Sequence, residues 1–395
     1  MPDDPVVIAS FARTPMGSFQ GCFRGLAAHE LGAQAVQAAV ERAQVDRSEI
    51  DEAILGNVLS AGQGQAPARQ AVLGAGLPLS THCTTINKMC GSGMKATMLA
   101  HDLLRAGVNR VMVAGGMESM TNAPYLLLKT RSGQRMGHGQ LMDHMFLDGL
   151  EDAYEKGALM GAFAESCAQR YGFTREAQDE FAMTSLARAQ NASKDGSFDA
   201  EVTPVVVRNK QGETLVERDE PPFRAQIEKI PRLRPAFREN GTVTAANSSS
   251  ISDGAAAMVL MRRSTAQRRG IKPRAVILGH STHAQEPGWF TTAPVGAIDK
   301  LLASVNWEAE DVDLFEVNEA FAVVTMAAMR EHRIDHSRIN VHGGACALGH
   351  PVGASGARIL VTLLSALEQK NLTRGLASLC IGGGEATAMA IERCP

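Results

Sequence analysis

The residue types best suited to nucleophilic chemistry stand in the segment 87–95, which reads Asn-Lys-Met-Cys-Gly-Ser-Gly-Met-Lys. Its cysteine, Cys90, directly precedes a predicted helix over 91–106, whose free N–H groups and dipole would stabilise a thiolate. The glycines after it let a substrate or another backbone segment come close. Cys90 is therefore a candidate nucleophile, and the competing interpretation is a small buried core thiol.

A histidine on a restricted turn is a candidate general base. His350 lies between Gly349 and Pro351 in the glycine-rich segment 343–356. Proline restricts the residue before it, so the imidazole is held rigidly ahead of a predicted helix. Such a histidine suits a base that deprotonates a thiol, and the alternative is a histidine with a purely structural role.

The same segment also shows the spacing of a metal site. His342, Cys346 and His350 recur every four residues, as ligands do on one face of a helix. Glycines and a proline within and beyond the run interrupt such a helix. The sequence therefore predicts no metal site here.

A second cysteine and an Asn-Glu pair follow predicted strands. Cys380 ends an apolar run and precedes three glycines, whose N–H groups could form an oxyanion hole beside an acid–base thiol. A glycine-rich turn with a buried cysteine is the alternative. Asn318 and Glu319 follow the strand 312–317, where α/β folds place ligands, or else they cap the next helix. Glu118 and Glu319 are candidates to support the reacting groups.

The elements that must position these residues alternate between apolar runs and segments of helical spacing. This alternation predicts an α/β fold with a mostly parallel sheet covered on both faces. Two strands end in consecutive glycines, which indicates a faint internal duplication with the catalytic groups at the junction of two halves. The predicted strands are 6–9, 53–59, 111–114, 276–278, 312–317 and 377–381, and the predicted helices are 26–43, 91–106, 159–171, 174–195, 297–306 and 355–369.

Residues 120–250 interrupt this pattern with long polar connections. A stretch of this length is too long for a single loop in a compact domain, so we expect an inserted loop domain.

Composition narrows the function classes. The chain has 395 residues, a net charge of -3, 45% hydrophobic and 21% charged residues. This composition is that of a soluble globular protein rather than a disordered one, and it argues against a dedicated nucleic-acid binder. We expect no targeting or membrane-spanning segment. Seven cysteines spread through a long chain favour free thiols in a reducing cytoplasm.

Taken together, the motifs resemble those of the thiolase family, in family order and over nearly the whole chain. The matching blocks are Asn-Lys-Met-Cys-Gly-Ser-Gly-Met-Lys-Ala at 87–96, Gly-Gly-Met-Glu-Ser-Met at 115–120 with Asn-Ala-Pro-Tyr at 122–125, Asn-Glu-Ala-Phe at 318–321, Gly-His-Pro through Gly at 349–356, and Cys-Ile-Gly-Gly-Gly at 380–384.

The resemblance implies a five-layer αβαβα fold of two similar halves with an inserted loop domain. It places the N-terminal half in 1–119 and 251–270, the coenzyme A-binding loop domain in 120–250, and the C-terminal half in 271–395. It also implies a homodimer or homotetramer that uses coenzyme A thioesters as substrates and needs no metal or redox cofactor.

The resemblance further implies a ping-pong acyl transfer that reversibly condenses two acetyl-CoA molecules to acetoacetyl-CoA and coenzyme A. Cys90 would attack the thioester and His350 would take its proton. Cys380 would remove the α-proton of the second acetyl-CoA. The N–H groups of Cys90 and Gly382 would form one oxyanion hole, and His350 with a water on Asn318 would form the other.

Contacts to the substrate follow from the same resemblance. Arg224 would meet the adenine-phosphate end of coenzyme A, and Ser249 would touch the pantetheine. Phe237 and Phe321 would line the apolar path of the pantetheine, and Met160 would lie in the loop that caps the acyl site.

The chain departs from the family pattern at several of these places. Leu159 precedes Met160 where many members that act on acetyl-CoA have histidine, which bears on the acyl-chain length. Phe290 stands where a methionine is expected, Glu385 follows the three glycines where methionine is more usual, and Ala246 replaces a common glycine.

The sequence leaves three alternatives to acetyl transfer. A 3-ketoacyl-CoA thiolase of fatty-acid degradation would prefer longer chains. A non-catalytic acyl-CoA-binding protein would lack one of Cys90, His350 and Cys380, all of which are present. A condensing enzyme that depends on a carrier protein would have a second histidine in place of Cys380.

Overall fold

The computed structural model describes residues 4–210 and 212–395, and within them strands and helices alternate along most of the chain. The strands are β1 (Val6–Arg13), β2 (Gly17–Ser18), β3 (Glu52–Gly56), β4 (His82–Ile86), β5 (Val111–Ser119), β6 (Tyr125–Leu127), β7 (Leu141–Asp143), β8 (Val205–Asn209), β9 (Gly212–Val216), β10 (Ser252–Arg262), β11 (Ala275–Ala284), β12 (Leu314–Val317), β13 (Arg374–Ile381) and β14 (Glu385–Arg393). The helices are α1 (Ala28–Ala43), α2 (Pro67–Gly74), α3 (Ser92–Ala106), α4 (Met160–Tyr171), α5 (Arg175–Lys194), α6 (Pro221–Arg224), α7 (Arg263–Arg268), α8 (Ala293–Val305), α9 (Ala322–His332), α10 (Ala345–Leu348) and α11 (Val352–Gln369).

One large sheet runs through both halves of the molecule. Its strands follow the order β12-β13-β14-β11-β1-β10-β5-β3-β4, and the short β2 pairs with β10. The two halves meet where β1 and β11 pair over only two residue pairs, Val7 with Val276 and Ile8 with Ala275. Two separate hairpins, β6-β7 and β8-β9, lie in the segment between β5 and β10.

The apolar side chains of the sheet divide into layers according to the alternation along each strand. On one face of the first half, residues such as Val113 and Val259 pack against α1 and α2. The opposite faces of both halves pack against α3 and α11, which are buried between them. The outer face of the second half, including Phe315 and Leu376, packs against α8 and α9. The result is five alternating layers of helices and strands.

The expectation of a mostly parallel sheet is wrong. Among the described strands, only β3-β4, β3-β5 and β12-β13 are parallel, while β10 and β14 are antiparallel to both of their main neighbours. These two strands escaped prediction because they are rich in alanine, which has low strand propensity. Ten of the eleven residues of β10 and six of the nine residues of β14 are buried, so these strands also lack the polar alternation that marks a half-exposed strand.

The predicted helices agree with the observed helices to within a few residues. Helix α3 follows Cys90 by two residues, and α5 begins after Thr174, whose hydroxyl accepts the N–H of Ala177. The division of the chain into 1–119 with 251–270, 120–250 and 271–395 stays a prediction. No helix in 4–210 or 212–395 has the length and apolarity needed to cross a membrane.

Candidate active site

A largely apolar pocket of about 400 Å³ brings together residues that are far apart in the sequence. Cys90, His350, Cys380 and Gly382 all line it. They come from the turn before α3, the turn before α11 and the end of β13. The predicted substrate contacts Met160, Ser249, Phe237 and Phe321 line the same pocket.

Cys90 lies at the start of α3, as expected, but its thiol is not ionised by that position. Burial raises the pKa of Cys90 to about 11, although the N–H groups of Gly382 and of Cys90 itself lie close enough to lower it. Desolvation therefore outweighs the helix start. The Cys90 thiol therefore needs a base before it can attack. The N–H groups of Gly382 and Cys90 both lie beside its sulfur.

His350 is suited to be that base. Burial, followed by the charge of Arg358, lowers its pKa to about 3, so the imidazole is neutral at ordinary pH. The Ser355 hydroxyl donates to the carbonyl of Pro351 at 3.0 Å and lies 2.5 Å from Nδ1 of His350. This pattern assigns the proton to Nδ1 and leaves Nε2 as the acceptor. Nε2 is buried and has no hydrogen-bond partner in the described part of the chain.

Cys380 is a fully buried thiol close to Cys90. Burial, and after it the proximity of Cys90, raises the pKa of Cys380 well above its usual range. The pair therefore consists of two neutral thiols, either of which becomes a strong base once its proton is removed. Gly382 follows on the turn that joins β13 to β14 and carries its N–H to the pocket.

Asn318 is placed at the end of β12, beside β13. Its N–H donates to the carbonyl of Ser378 at 3.0 Å and extends the parallel ladder. Both polar atoms of its side chain are buried and find no partner within 4–210 and 212–395, although the residue does not line the pocket. The interpretation that it caps the next helix is wrong, because α9 begins at Ala322 and Phe321 holds the cap position.

Glu319, the neighbour of Asn318, supports the segment before His350. Its carboxylate accepts hydrogen bonds from Ser185 at 2.7 Å, from Asn340 at 2.8 Å and from the N–H of Cys346 at 3.1 Å. Burial raises the pKa of Glu319 despite these donors. Its role is to hold together α5, the chain near Asn340 and the short helix α10.

Glu118 supports the other side of His350. Its carboxylate accepts the N–H groups of Gly353 and Val58, both at 2.9 Å, and that of Leu59 at 3.2 Å. The side chain of Asn57 donates to it at 2.7 Å. Burial raises its pKa to about 7, because desolvation outweighs the N–H donors that favour the charged form. Glu118 thus ties β5 to the first turn of α11.

Aromatic side chains build the apolar wall of the pocket. Phe237 and Phe321 meet edge to face with ring centroids 6.0 Å apart, and Phe290 stands 6.4 Å from Phe321. Gly161 lets Phe237 approach α4 closely, since a Cβ there would lie 2.3 Å from the ring. Such a wall suits an uncharged, flexible chain of the pantetheine kind.

Arg224 does not line this pocket. It ends α6, pairs with Glu220 at 3.1 Å, and its side chain is 56% exposed. It lies instead in a neighbouring groove that shares Ala245 and Ser250 with the pocket. A ligand longer than the pocket would have to continue along this groove to reach Arg224.

Several residues of the site were not singled out from the sequence. Phe146 and Leu150 line the pocket from a helical turn in the inserted segment, where only their apolarity gave a signal. Ser355 lies in the glycine-rich motif at 349–356. Its position five residues after His350 is the sequence signal for its hydrogen bond to the imidazole. The metal-like spacing does not form one helix face, since α10 ends at Leu348 and Gly349 has φ +93°.

Comparison with known proteins gives the family. Residues 6–264 match the model of the thiolase N-terminal domain, and residues 271–393 match that of the thiolase C-terminal domain. Acetyl-CoA acetyltransferase 2 of Arabidopsis thaliana is 49% identical over 98% of this chain and 96% of its own. The structure of the Bacillus anthracis acetyl-CoA acetyltransferase superposes with a TM-score of 0.96 at 40% identity, covering 99% of both chains.

A second solved structure, Acat5 thiolase from Ascaris suum in complex with coenzyme A, superposes with a TM-score of 0.93 at 42% identity. It covers 99% of this chain and 100% of its own. The five-layer fold, the order of the motifs and these matches over both halves agree with one another. The chain belongs to the thiolase family.

Proposed function

We propose that this chain is an acetyl-CoA acetyltransferase, which reversibly converts two acetyl-CoA molecules to acetoacetyl-CoA and coenzyme A. The observation that carries the proposal is the convergence of Cys90, His350, Cys380 and the N–H of Gly382 in one pocket. The matched relatives named acetyl-CoA acetyltransferase support the same substrate.

The first half-reaction acylates Cys90. Nε2 of His350 takes the thiol proton, and the sulfur attacks the thioester carbonyl. The N–H groups of Cys90 and Gly382 stabilise the oxyanion. Coenzyme A leaves as a thiolate and takes a proton from Cys380, so that an acyl-cysteine, a protonated His350 and a Cys380 thiolate remain.

The second half-reaction uses the two groups that the first has charged. The Cys380 thiolate removes the α-proton of a second acetyl-CoA, and protonated His350, with a water held by Asn318, stabilises the enolate oxygen. The enolate carbon attacks the acyl group, and Cys90 leaves and recovers its proton from His350. At the end of the cycle Cys90, His350 and Cys380 have regained their starting protonation states. The proposed reaction therefore needs no metal or redox cofactor.

The substrate contacts of the proposal follow the pocket and its neighbouring groove. The pantetheine would pass between Ser249 and the aromatic wall of Phe237 and Phe321, with Met160 over the acyl end. The phosphate and adenine end would follow the groove towards Arg224.

A specific observation favours one competing function, a 3-ketoacyl-CoA thiolase that prefers longer chains in fatty-acid degradation. Leu159, Phe146 and Leu150 line the pocket and present no polar group to an acyl chain. A longer chain would bury more apolar surface there, at about 0.8 kcal/mol per methylene. A non-catalytic acyl-CoA-binding protein is disfavoured, because the complete set of reacting groups lines one pocket.

The test is coenzyme A-dependent cleavage of acetoacetyl-CoA and of a medium-length 3-ketoacyl-CoA. We expect acetoacetyl-CoA to be preferred, and Cys90→Ala to lower kcat by at least about 10³-fold. Cys83→Ala, which removes a thiol outside the pocket, serves as the matched control. Preference for the longer substrate would favour the competing thiolase, and cleavage of neither would contradict both enzymes.

The proposal extends to location and assembly. All seven cysteines are free, which suits a reducing cytoplasm.

Strand β4 lies at the end of the sheet order, and the hairpin β6-β7 exposes Tyr125 and Leu141 at 65% and 68%. Exposed edges and apolar side chains favour a homodimer or homotetramer. Light scattering should give two or four times the chain mass of 42.0 kDa, and the mass of one chain would contradict it.

A further inference from the structure

An ion pair joins the two loops that surround the candidate nucleophile. Nζ of Lys88 contacts Oε2 of Glu385, 297 positions away in the sequence, and their side chains are 21% and 35% exposed. Lys88 stands two residues before Cys90. Glu385 begins β14, directly after the glycine turn that carries Gly382.

The backbone of Lys88 is anchored to the start of α3. Its N–H donates to the Ser92 hydroxyl at 2.8 Å, and its carbonyl accepts the N–H of Gly91 at 3.0 Å. Between these anchors Met89 has φ +46°, a left-handed conformation that side chains rarely adopt. The Met89 N–H donates to Oδ1 of Asn87 at 2.9 Å and the Ser92 hydroxyl donates to the Met89 carbonyl at 2.6 Å, so local hydrogen bonds share with the ion pair in maintaining this strained loop.

The backbone of Glu385 is anchored in the sheet. It pairs with Ile381 across the β13-β14 hairpin and with Ala284 of β11. The turn between these anchors contains Gly383 and Gly384, with φ of +92° and +86°. Glycine gives this turn the conformation that it needs, but it also leaves the turn without side chains that could hold it in place.

The two loops touch beside the reacting sulfur. An ideal Cβ on Gly91 would lie 2.4 Å from Cδ1 of Ile381, so the loops are in close contact there. The N–H groups of Cys90 and Gly382, one from each loop, both lie near the Cys90 sulfur. Donors of this kind stabilise an oxyanion only when their positions are held to within about 0.5 Å.

We infer that Lys88 and Glu385 are positioning residues that fix the spacing of the two N–H donors across the loops. This inference rests on the proposed function, because it assigns the pair to the oxyanion of the acyl transfer. Neither side chain lines the pocket, so the pair acts through the backbone of Cys90 and Gly382.

The experiment measures acetoacetyl-CoA cleavage by Glu385→Gln, Lys88→Met and the reversed pair Lys88→Glu with Glu385→Lys. Each single variant should lower kcat and the rate of the acylation burst by about five- to tenfold, with KM within twofold and the same Tm. The reversed pair should recover most of the loss. Glu49→Gln is the matched control: it breaks the pair with Arg269, whose side chains are 38% and 22% exposed, and should leave kcat unchanged.

Each contrary outcome has a distinct meaning. Wild-type kcat in Glu385→Gln overturns the positioning role while the proposed function stands. A change in KM alone also overturns it, because the pair would then act on substrate binding. A loss of kcat that comes with a lower Tm, and that the reversed pair does not restore, is a folding defect and has the same consequence. A wild-type chain that cleaves no thioester overturns both proposals.

Discussion

At the scale of single residues, the site consists of groups whose charged forms the protein suppresses. Cys90 and Cys380 have raised pKa values and His350 has a lowered one, in each case chiefly through burial. The resting state therefore has neutral thiols and a neutral imidazole. It is not the thiolate–imidazolium pair of a cysteine that is ionised before substrate binds. In the proposed mechanism, charge develops only when a substrate carbonyl can receive it from the Cys90 sulfur.

The resting thiol of Cys90 leads to a prediction about alkylation. With a pKa of about 11, the fraction of thiolate should grow about tenfold for each pH unit between pH 7 and pH 9.5. The rate of inactivation by iodoacetamide should therefore rise with a slope near one on a logarithmic scale. Mass spectrometry of the modified chain, with Cys90→Ser as the control, checks that this cysteine reacts. A plateau reached near pH 7 would contradict a proton held on the thiol.

At the scale of elements, the position of Cys90 depends on how closely α3 meets α11. An ideal Cβ on Gly356 would lie 2.4 Å from the backbone nitrogen of Met94, and one on Gly93 would lie 2.7 Å from that of Ala357. The two helices cross through these glycines, deep between the halves of the sheet. The turns bearing Cys90 and His350 begin these same helices, so the crossing sets their relative position.

Gly356→Ala tests the crossing. In an open helix this change would add about 1 kcal/mol of stability through helix propensity. Here a methyl group would meet backbone, and we expect a net loss of about 1–3 kcal/mol from overpacking together with lower kcat. Thermal unfolding and the cleavage assay measure both effects. Gly25→Ala is the control, because its Cβ would meet no atom of the described residues within 4 Å. A stabilised variant would contradict the close crossing.

The elements also show which parts of the structure the sequence could predict. Helices such as α3 and α5 have a regular apolar period and recognisable starts, and their predicted bounds are close to those observed. Strands β10 and β14 do not, because alanine-rich residues buried on both faces show neither strand propensity nor alternation. Apart from β1-β11, every antiparallel pair of the large sheet contains β10 or β14.

The same contrast holds within the pocket. Cys90, His350 and Cys380 could be found because glycine and proline mark the turns that carry them. Phe146 reaches the pocket through the fold of the inserted segment, and Ser355 acts through a hydrogen bond to another side chain. Neither kind of contact has a local pattern in the sequence.

At the scale of the whole molecule, a buried charge cluster joins the inserted segment to both halves. Arg13 of β1 donates to Glu201 at 2.5 Å and to both oxygens of Asp219 at 2.7 and 2.9 Å. Glu201 also accepts the Thr362 hydroxyl of α11 at 3.1 Å. Arg13 and Glu201 are fully buried, and the side chain of Asp219 is 1% exposed. The cluster therefore holds the segment that bears Phe237 and Arg224 against the body that bears the cysteines.

Replacing one charged residue of this cluster should lower the free energy of unfolding by more than the intact cluster adds to it. Arg13→Met leaves the carboxylates of Glu201 and Asp219 buried together without their counterion and should destabilise the fold by about 3–5 kcal/mol. With an entropy of unfolding of about 2.1 cal/mol/K per residue, that loss lowers the Tm of a chain of this length by about 4–6 °C.

Arg208→Met, in an ion pair whose side chains are 79% and 62% exposed, is the control and should leave the Tm within about 1 °C. KM for coenzyme A should rise in Arg13→Met below its Tm, since the loosened segment carries Phe237 of the proposed pantetheine wall. An unchanged Tm would contradict the cluster's role in holding the segment, and an unchanged KM with a lowered Tm would confine that role to stability.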